Sequence, residues 1–251
     1  MPILIQSIVC LVSIFWLFSC RQPSGSGVEA EDTFLENITW TFEGSAWNPS
    51  GTPPACPSPI KLGLPYEHAD PSALLYPGQV RGDGYRSHGG FRFDSQTQGQ
   101  VRTIMPMDAQ LIKASRYLED NETQYYLVFI HPCGLMFKLD HLRQLAAAIS
   151  SIENELPEAK PNDSRSTQLK KPIQLSQGTV LAFAIGIPKT QNFFFDFGFY
   201  DLRSKQQDLG HASNEFDDYG LCFLDYFSAE QAAQFRALPS GQEGKQSDYC
   251  Q

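Results

Sequence analysis

Three short segments of this 251-residue chain carry side chains able to do chemistry. Residues 87–94 (SHGGFRFD) hold His88, Arg92 and Asp94. Residues 137–142 (FKLDHL) hold His141, and the run NFFFDFGFYDLR, ending at Arg203, holds Phe194 and Asp196. Imidazole and carboxylate groups are the usual ligands of a catalytic zinc, which needs about three protein ligands and one open position for water. They are equally the usual general acids and bases. The remaining histidines carry less signal. His68 and His211 lie in polar stretches, and His131 adjoins a Pro-Cys-Gly turn. Alone, His88 between Ser87 and two glycines reads as an exposed loop histidine, so its value depends on what the fold brings to it.

The elements that must position these residues read mainly as strands. Residues 125–131 (YYLVFIH) and 135–142 (LMFKLDHL) are aromatic and β-branched runs around a Pro/Gly turn, the clearest hairpin in the chain. Residues 101–118 hold two strand-like runs around Pro106-Met107-Asp108. Two more strands fall at 178–186 and 193–202, and 34–42 reads as an edge strand. Residues 44–65 read as Pro- and Gly-rich coil. Leu145, Ile149, Ile152 and Leu156 have helical spacing, so a helix is expected over 144–156, stopped by Pro157. Residues 160–171 read as a polar loop. A second helix is expected over 228–238, with Ser228 as cap and Glu230 in its first turn. The fold class is therefore mainly β, an antiparallel sheet or sandwich with short connecting helices.

Charge and cysteine usage bound the partners and the compartment. Twenty-eight acidic against 19 basic residues give a net charge of −9, the wrong sign for a nucleic-acid binder. Residues 1–20 lack charged side chains, and the apolar run 8–18 is shorter than the roughly 20 residues of a membrane span. Leu17-Phe18-Ser19-Cys20 resembles a bacterial lipobox, which implies a signal peptide over 1–19 and a lipid on Cys20. The expected location is the bacterial cell envelope, lipid-anchored at the outer membrane and facing the periplasm. A flexible tether over 20–33 follows. Cys56, Cys133, Cys222 and Cys250 remain, an even number in an oxidising compartment. Three pairings are open. Cys222–Cys250 with Cys56–Cys133 is favoured because Cys250 would then tie down the terminus.

Read together and in order, four segments resemble the LytM/lysostaphin-type zinc metallopeptidases that cut peptidoglycan cross-links: SHGGFRFD, VRTIMPMDAQLIKA (101–114), FKLDHL, and QGTVLAFAIG with NFFFDFGFYDLR. The resemblance spans about 75–203. It implies a LytM-like β domain there, an irregular extension over 34–74 and a Cys-closed extension over 204–251. Carried over by motif, His88 falls on the first zinc-ligand histidine and Gly90 on the motif glycine. The ligand aspartate falls on Arg92, which cannot bind a metal. His141 falls on a catalytic histidine, Phe194 replaces the other, and Asp196 replaces the last zinc ligand.

The resemblance therefore implies a degenerate site, with no metal expected and binding rather than hydrolysis as the work. The expected partners are peptidoglycan or a cell-wall hydrolase, with the membrane reached through Cys20. An Arg92–Asp196 ion pair is expected where the metal would stand. The alternative is a zinc endopeptidase with altered ligands, His88 with Asp196 or Asp94, and His141 as acid/base.

Overall fold

The computed structural model describes residues 38–251 except 83, 97, 207, 209–213 and 242. The signal segment, Cys20, the tether and His211 fall outside the described residues, as do residues 34–37 of the edge strand expected over 34–42. Its end forms β1 (Trp40–Glu43), which pairs with β2 (Ala46–Pro49).

Strand-forming sequence makes the framework. β9 (Ala109–Glu119), β10 (Glu122–Ile130) and β11 (Leu135–Leu145) form a long antiparallel meander. Asp120 and Asn121 join the first two, both left-handed (φ 49° and 66°), a conformation their short polar side chains tolerate. Residues 125–142 form the hairpin expected of them.

β11 then forks. Residues 135–140 pair with β14 (Phe194–Asp201), and Leu142, Arg143 and Leu145 pair with β13 (Val180–Ile185). β13 continues to β8 (Arg102–Ile104) and β3 (Tyr66–Glu67). β14 continues to β7 (Gly89–Arg92) and β4 (Ala73–Leu75). With β12 (Thr167–Leu175) on the outer edge of β9, these make a 10-stranded antiparallel sheet among the described residues. β5 (Gln79–Arg81) and β6 (Gly84–Arg86) form a separate hairpin ahead of His88. The chain is thus mainly β and antiparallel, as expected.

Alternation assigns the faces. Phe195, Phe197 and Phe199 of β14 have no exposed surface and pack with Phe91, Phe137 and Phe223 into the main core. Phe194, Asp196, Gly198 and Tyr200 point the other way.

The C-terminal segment closes the apolar side. α1 (Ala229–Ala237) is capped by Ser228, whose Oγ accepts from Gln231 N while the Gln231 side chain accepts from Ser228 N. Its Phe235 packs 5.2 Å from the Phe91 ring. Both favoured disulfides are formed, Cys56–Cys133 and Cys222–Cys250.

Three expectations need correcting. The helix over 144–156 is not formed: β11 runs on through Leu145, Ala146 N donates to Leu181 O (2.8 Å), and only a 3-10 turn, Ser150–Asn154, follows. Ile149 and Ile152 still bury completely, because spacing of three suits that turn. The polar loop over 160–171 is in part β12, an edge strand that tolerates Pro172 and two lysines. Finally, the extension expected to be irregular over 34–74 carries β1, β2, β3 and the start of β4, of which β3 and β4 join the main sheet.

Candidate functional site

The site sits where β11 changes partners. Across from β10, Leu127 faces Leu139 and Tyr125 faces Leu142, so Tyr126 alone opposes both Asp140 and His141. This is a β-bulge, with His141 left-handed at φ 61°. The bulge brings two consecutive residues to one groove, which strict alternation would have sent to opposite faces. The groove has a volume of about 1110 Å³, and His88, Tyr117, Glu119, Asp140, His141 and Asp196 line one end of it.

Asp196 is the hub. Its Oδ2 lies 3.0 Å from His88 Nε2 and 3.7 Å from His141 Nε2. Gly90 stands opposite it on β7, and a Cβ there would lie 2.5 Å from Phe195 O and 3.2 Å from Asp196 Oδ1. Only glycine leaves the strands this close. Gly89 is equally confined, 2.1 Å from Leu75 O by the same test. Arg81 donates to His88 O (2.7 Å) and to Tyr76 O (2.6 Å), fixing the backbone that presents His88.

On the β11 side, Asp140 stands directly opposite Asp196 in register. Like charges so placed repel, and the surrounding groups offset this. Tyr117 Oη donates to Asp140 Oδ1 (2.7 Å), and His141 N donates to the same oxygen (2.7 Å). His141 Nδ1 lies 3.1 Å from Glu119 Oε2.

The titration behaviour follows from these contacts. Burial pushes Asp140 up and outweighs the His141 cation that pulls it down; the Asp196 charge adds to the rise, and the Tyr117 hydroxyl opposes it. Burial alone would also raise Asp196, but His88, the His141 cation and Arg81 hold it well below the usual carboxylate range. Burial alone would lower His141. Asp140, the Glu119 hydrogen bond and Asp196 instead carry it up to about 9. His88 goes the other way: burial drives it down to about 4 against the pull of Asp196. At neutral pH, then, His141 is a cation and His88 is neutral. His88 donates from Nε2 to Asp196, and among the described residues its buried Nδ1 has no hydrogen-bond partner.

Of the residues singled out from sequence, His88, His141, Asp196 and Phe194 come together. The Phe194 ring packs on the His141 imidazole, centroids 4.4 Å apart. Arg92 and Asp94 do not join them. Arg92 stands opposite Phe194, and its guanidinium pairs with Asp94 at 2.7 and 3.4 Å. Asp94 also takes the Ser72 hydroxyl at 2.7 Å. The expected Arg92–Asp196 ion pair is therefore replaced by Arg92–Asp94, and the charge facing Asp196 comes from His141 and Arg81. Asp94, the alternative ligand, is likewise held away from Asp196 by Arg92 and Ser72. Sequence reasoning missed Tyr117, Glu119, Asp140 and Arg81. The spacing of Tyr117 and Glu119 on one strand face was the available signal for two of them.

The arrangement can donate a proton from His141, accept hydrogen bonds at its carboxylates, or hold a divalent cation. Ligand atoms of Asp140, His141 and Asp196 all lie within 4.8 Å of one another.

No family model matches the chain. No curated protein matches it either. A solved structure, that of Helicobacter pylori Csd3, matches over 79% of this chain and 45% of its own, with a TM-score of 0.38 and 10% identity. A likeness this distant carries no argument about the chemistry, which rests on the groove itself.

Proposed function

We propose that this chain is a lipid-anchored protein of the bacterial envelope whose LytM-like groove binds peptidoglycan stem peptides, or a cell-wall hydrolase, without cleaving them. The observation that carries the reading is the self-compensated state of Asp196. It stands in the position that the resemblance gives to a zinc ligand, and it is already held by His88 and by the proton on His141. The second ligand position, Arg92, is turned away to Asp94. Phe194 fills the position of the second catalytic histidine and offers no polar group to a developing oxyanion. The groove keeps its shape, its hydrogen-bonding groups and its opening. The anchor at Cys20 and the periplasmic location belong to the same reading, and the net charge of −9 favours a peptide or protein partner over an anionic polymer.

Incubation of the purified chain with isolated cell-wall sacculi tests this. The expected result is co-sedimentation without release of soluble muropeptides. Released fragments would refute the non-catalytic reading, and failure to sediment would leave only the hydrolase as partner.

One observation favours a second reading. Ligand atoms of Asp140, His141 and Asp196 lie within 4.8 Å of one another, a donor set of the kind zinc takes. Asp140, His141 and Asp196 would hold the ion, which would supply an acidified water. His141 would first have to give up its proton, so uptake would release a proton and weaken as the pH falls below about 9.

A further inference from the structure

The far end of the groove is built differently. One register row below Asp140 and Asp196, Lys113, Val128, Lys138 and Gly198 stand side by side on β9, β10, β11 and β14. The two rows lie about 7 Å apart, two residues along a strand. Lys113 is partnered by Glu215 at 3.9 Å. Lys138 is not partnered: among the described residues its ammonium meets no carboxylate and makes no hydrogen bond. It lies over three rings instead, 5.8 Å from Tyr126, 5.7 Å from Tyr200 and 5.9 Å from Phe216. Those distances are near the outer limit for a cation over a ring, about 6 Å. The rings therefore position the ammonium without using its three donors. Gly198 makes this packing feasible, since a Cβ there would lie 2.4 Å from the Tyr200 hydroxyl. Tyr200 is in turn fixed by its contact with Ser87 Oγ at 3.2 Å.

From this we infer that Lys138 is a carboxylate subsite, which receives the free carboxylate of a peptide lying along the groove with its amide or amine nitrogen toward Asp140 and Glu119. The inference rests on the reading of the groove as a peptide-binding site and names the end group it selects. The charge pattern favours a carboxylate over a phosphate. One free ammonium matches one negative charge, and although Arg86 and the His141 cation also line the groove, the carboxylates of Glu119, Asp140, Asp196 and Glu215 there repel a dianion more than a monoanion. Tyr126 and Phe216 give the body of a peptide an aromatic wall, which a bare inorganic anion would not use.

The test compares N-acetyl-alanyl-alanine with its C-terminal amide and with inorganic phosphate, by calorimetry on the purified full chain. The acid should bind about tenfold tighter than the amide, the value of one charge-assisted hydrogen bond. Lys138→Met should bring the two within about twofold, and Lys138→Arg should restore the preference. Circular dichroism of both variants reports whether they fold. A wild-type chain that binds acid and amide equally overturns the subsite, as does phosphate that competes as well as the acid, or no binding of any of the three at millimolar concentration. Sacculi binding, measured alongside, separates the two readings. Sacculi bound without acid preference sinks the subsite alone. Acid preference without sacculi binding keeps the subsite and sinks the wall as its ligand.

Discussion

β14 has two faces, and they do opposite jobs. Phe195, Phe197 and Phe199 enter a core with no exposed surface. One residue out of step, Phe194, Asp196, Gly198 and Tyr200 form the opposite face, on which Asp196 lines a groove whose stability depends on charge balance. The apolar face is stabilised by area and packing and is indifferent to pH. The groove face places two carboxylates opposite each other and relies on two histidines in different protonation states to hold them. A sheet that is secure on one side can carry such a costly arrangement on the other.

The largest effect should come from the apolar face. Phe197→Ala should cost about 3–5 kcal/mol in urea unfolding, with the pH dependence of stability unchanged. A cost below about 1 kcal/mol would mean the core is not where stability resides. Next is the clamp over that face. Replacing Cys222 and Cys250 together by serine opens a loop of 28 residues and should cost about 3–4 kcal/mol, measured the same way.

The groove face should respond to pH instead. His141 is raised to about 9, so its contribution is fully present below 6.5 and is lost as pH rises through about 9. That loss is worth roughly 3 kcal/mol. His88 is lowered to about 4, so its contribution is present above 6.5 and is lost as pH falls through about 4. Unfolding free energy against pH should therefore peak near neutrality. His141→Asn should flatten the alkaline limb and His88→Asn the acid limb. Limbs unaffected by these variants would contradict the assigned protonation states. The smallest effect belongs to Arg92→Ala, which removes a half-exposed pair with Asp94 and should cost under about 1 kcal/mol. A larger loss would mean Arg92 does more than hold Asp94.

Much of this was legible in the sequence, for physical reasons. The hairpin over 125–142 and the strands at 178–186 and 193–202 have strong β-branched and aromatic runs bounded by turn residues. The Ser228 cap was also readable, and of the three open cysteine pairings the favoured one is formed. His88, His141 and Asp196 were identified through a motif resemblance, and the fold does bring them together. What failed was context. The apolar spacing over 144–156 fits a helix, but the pairing of β11 with β13 takes its first residues. The polar, lysine-bearing β12 looks like a loop because an edge strand needs only one paired side. Arg92 sits on the expected strand but two register pairs from Asp196, and Asp94 and Ser72 hold it there. Asp140 was hidden by the bulge at His141, since alternation predicts opposite faces for adjacent residues. Lys138 and its three rings come from separate segments and share no local pattern.

The central claim is that His88 and the proton on His141, rather than a metal, compensate Asp196. The most direct test is zinc content after the purified chain is equilibrated with excess zinc at pH 7 and then freed of loosely held ion. The account predicts well under one zinc per chain. About one zinc per chain, absent in Asp196→Asn, would contradict it.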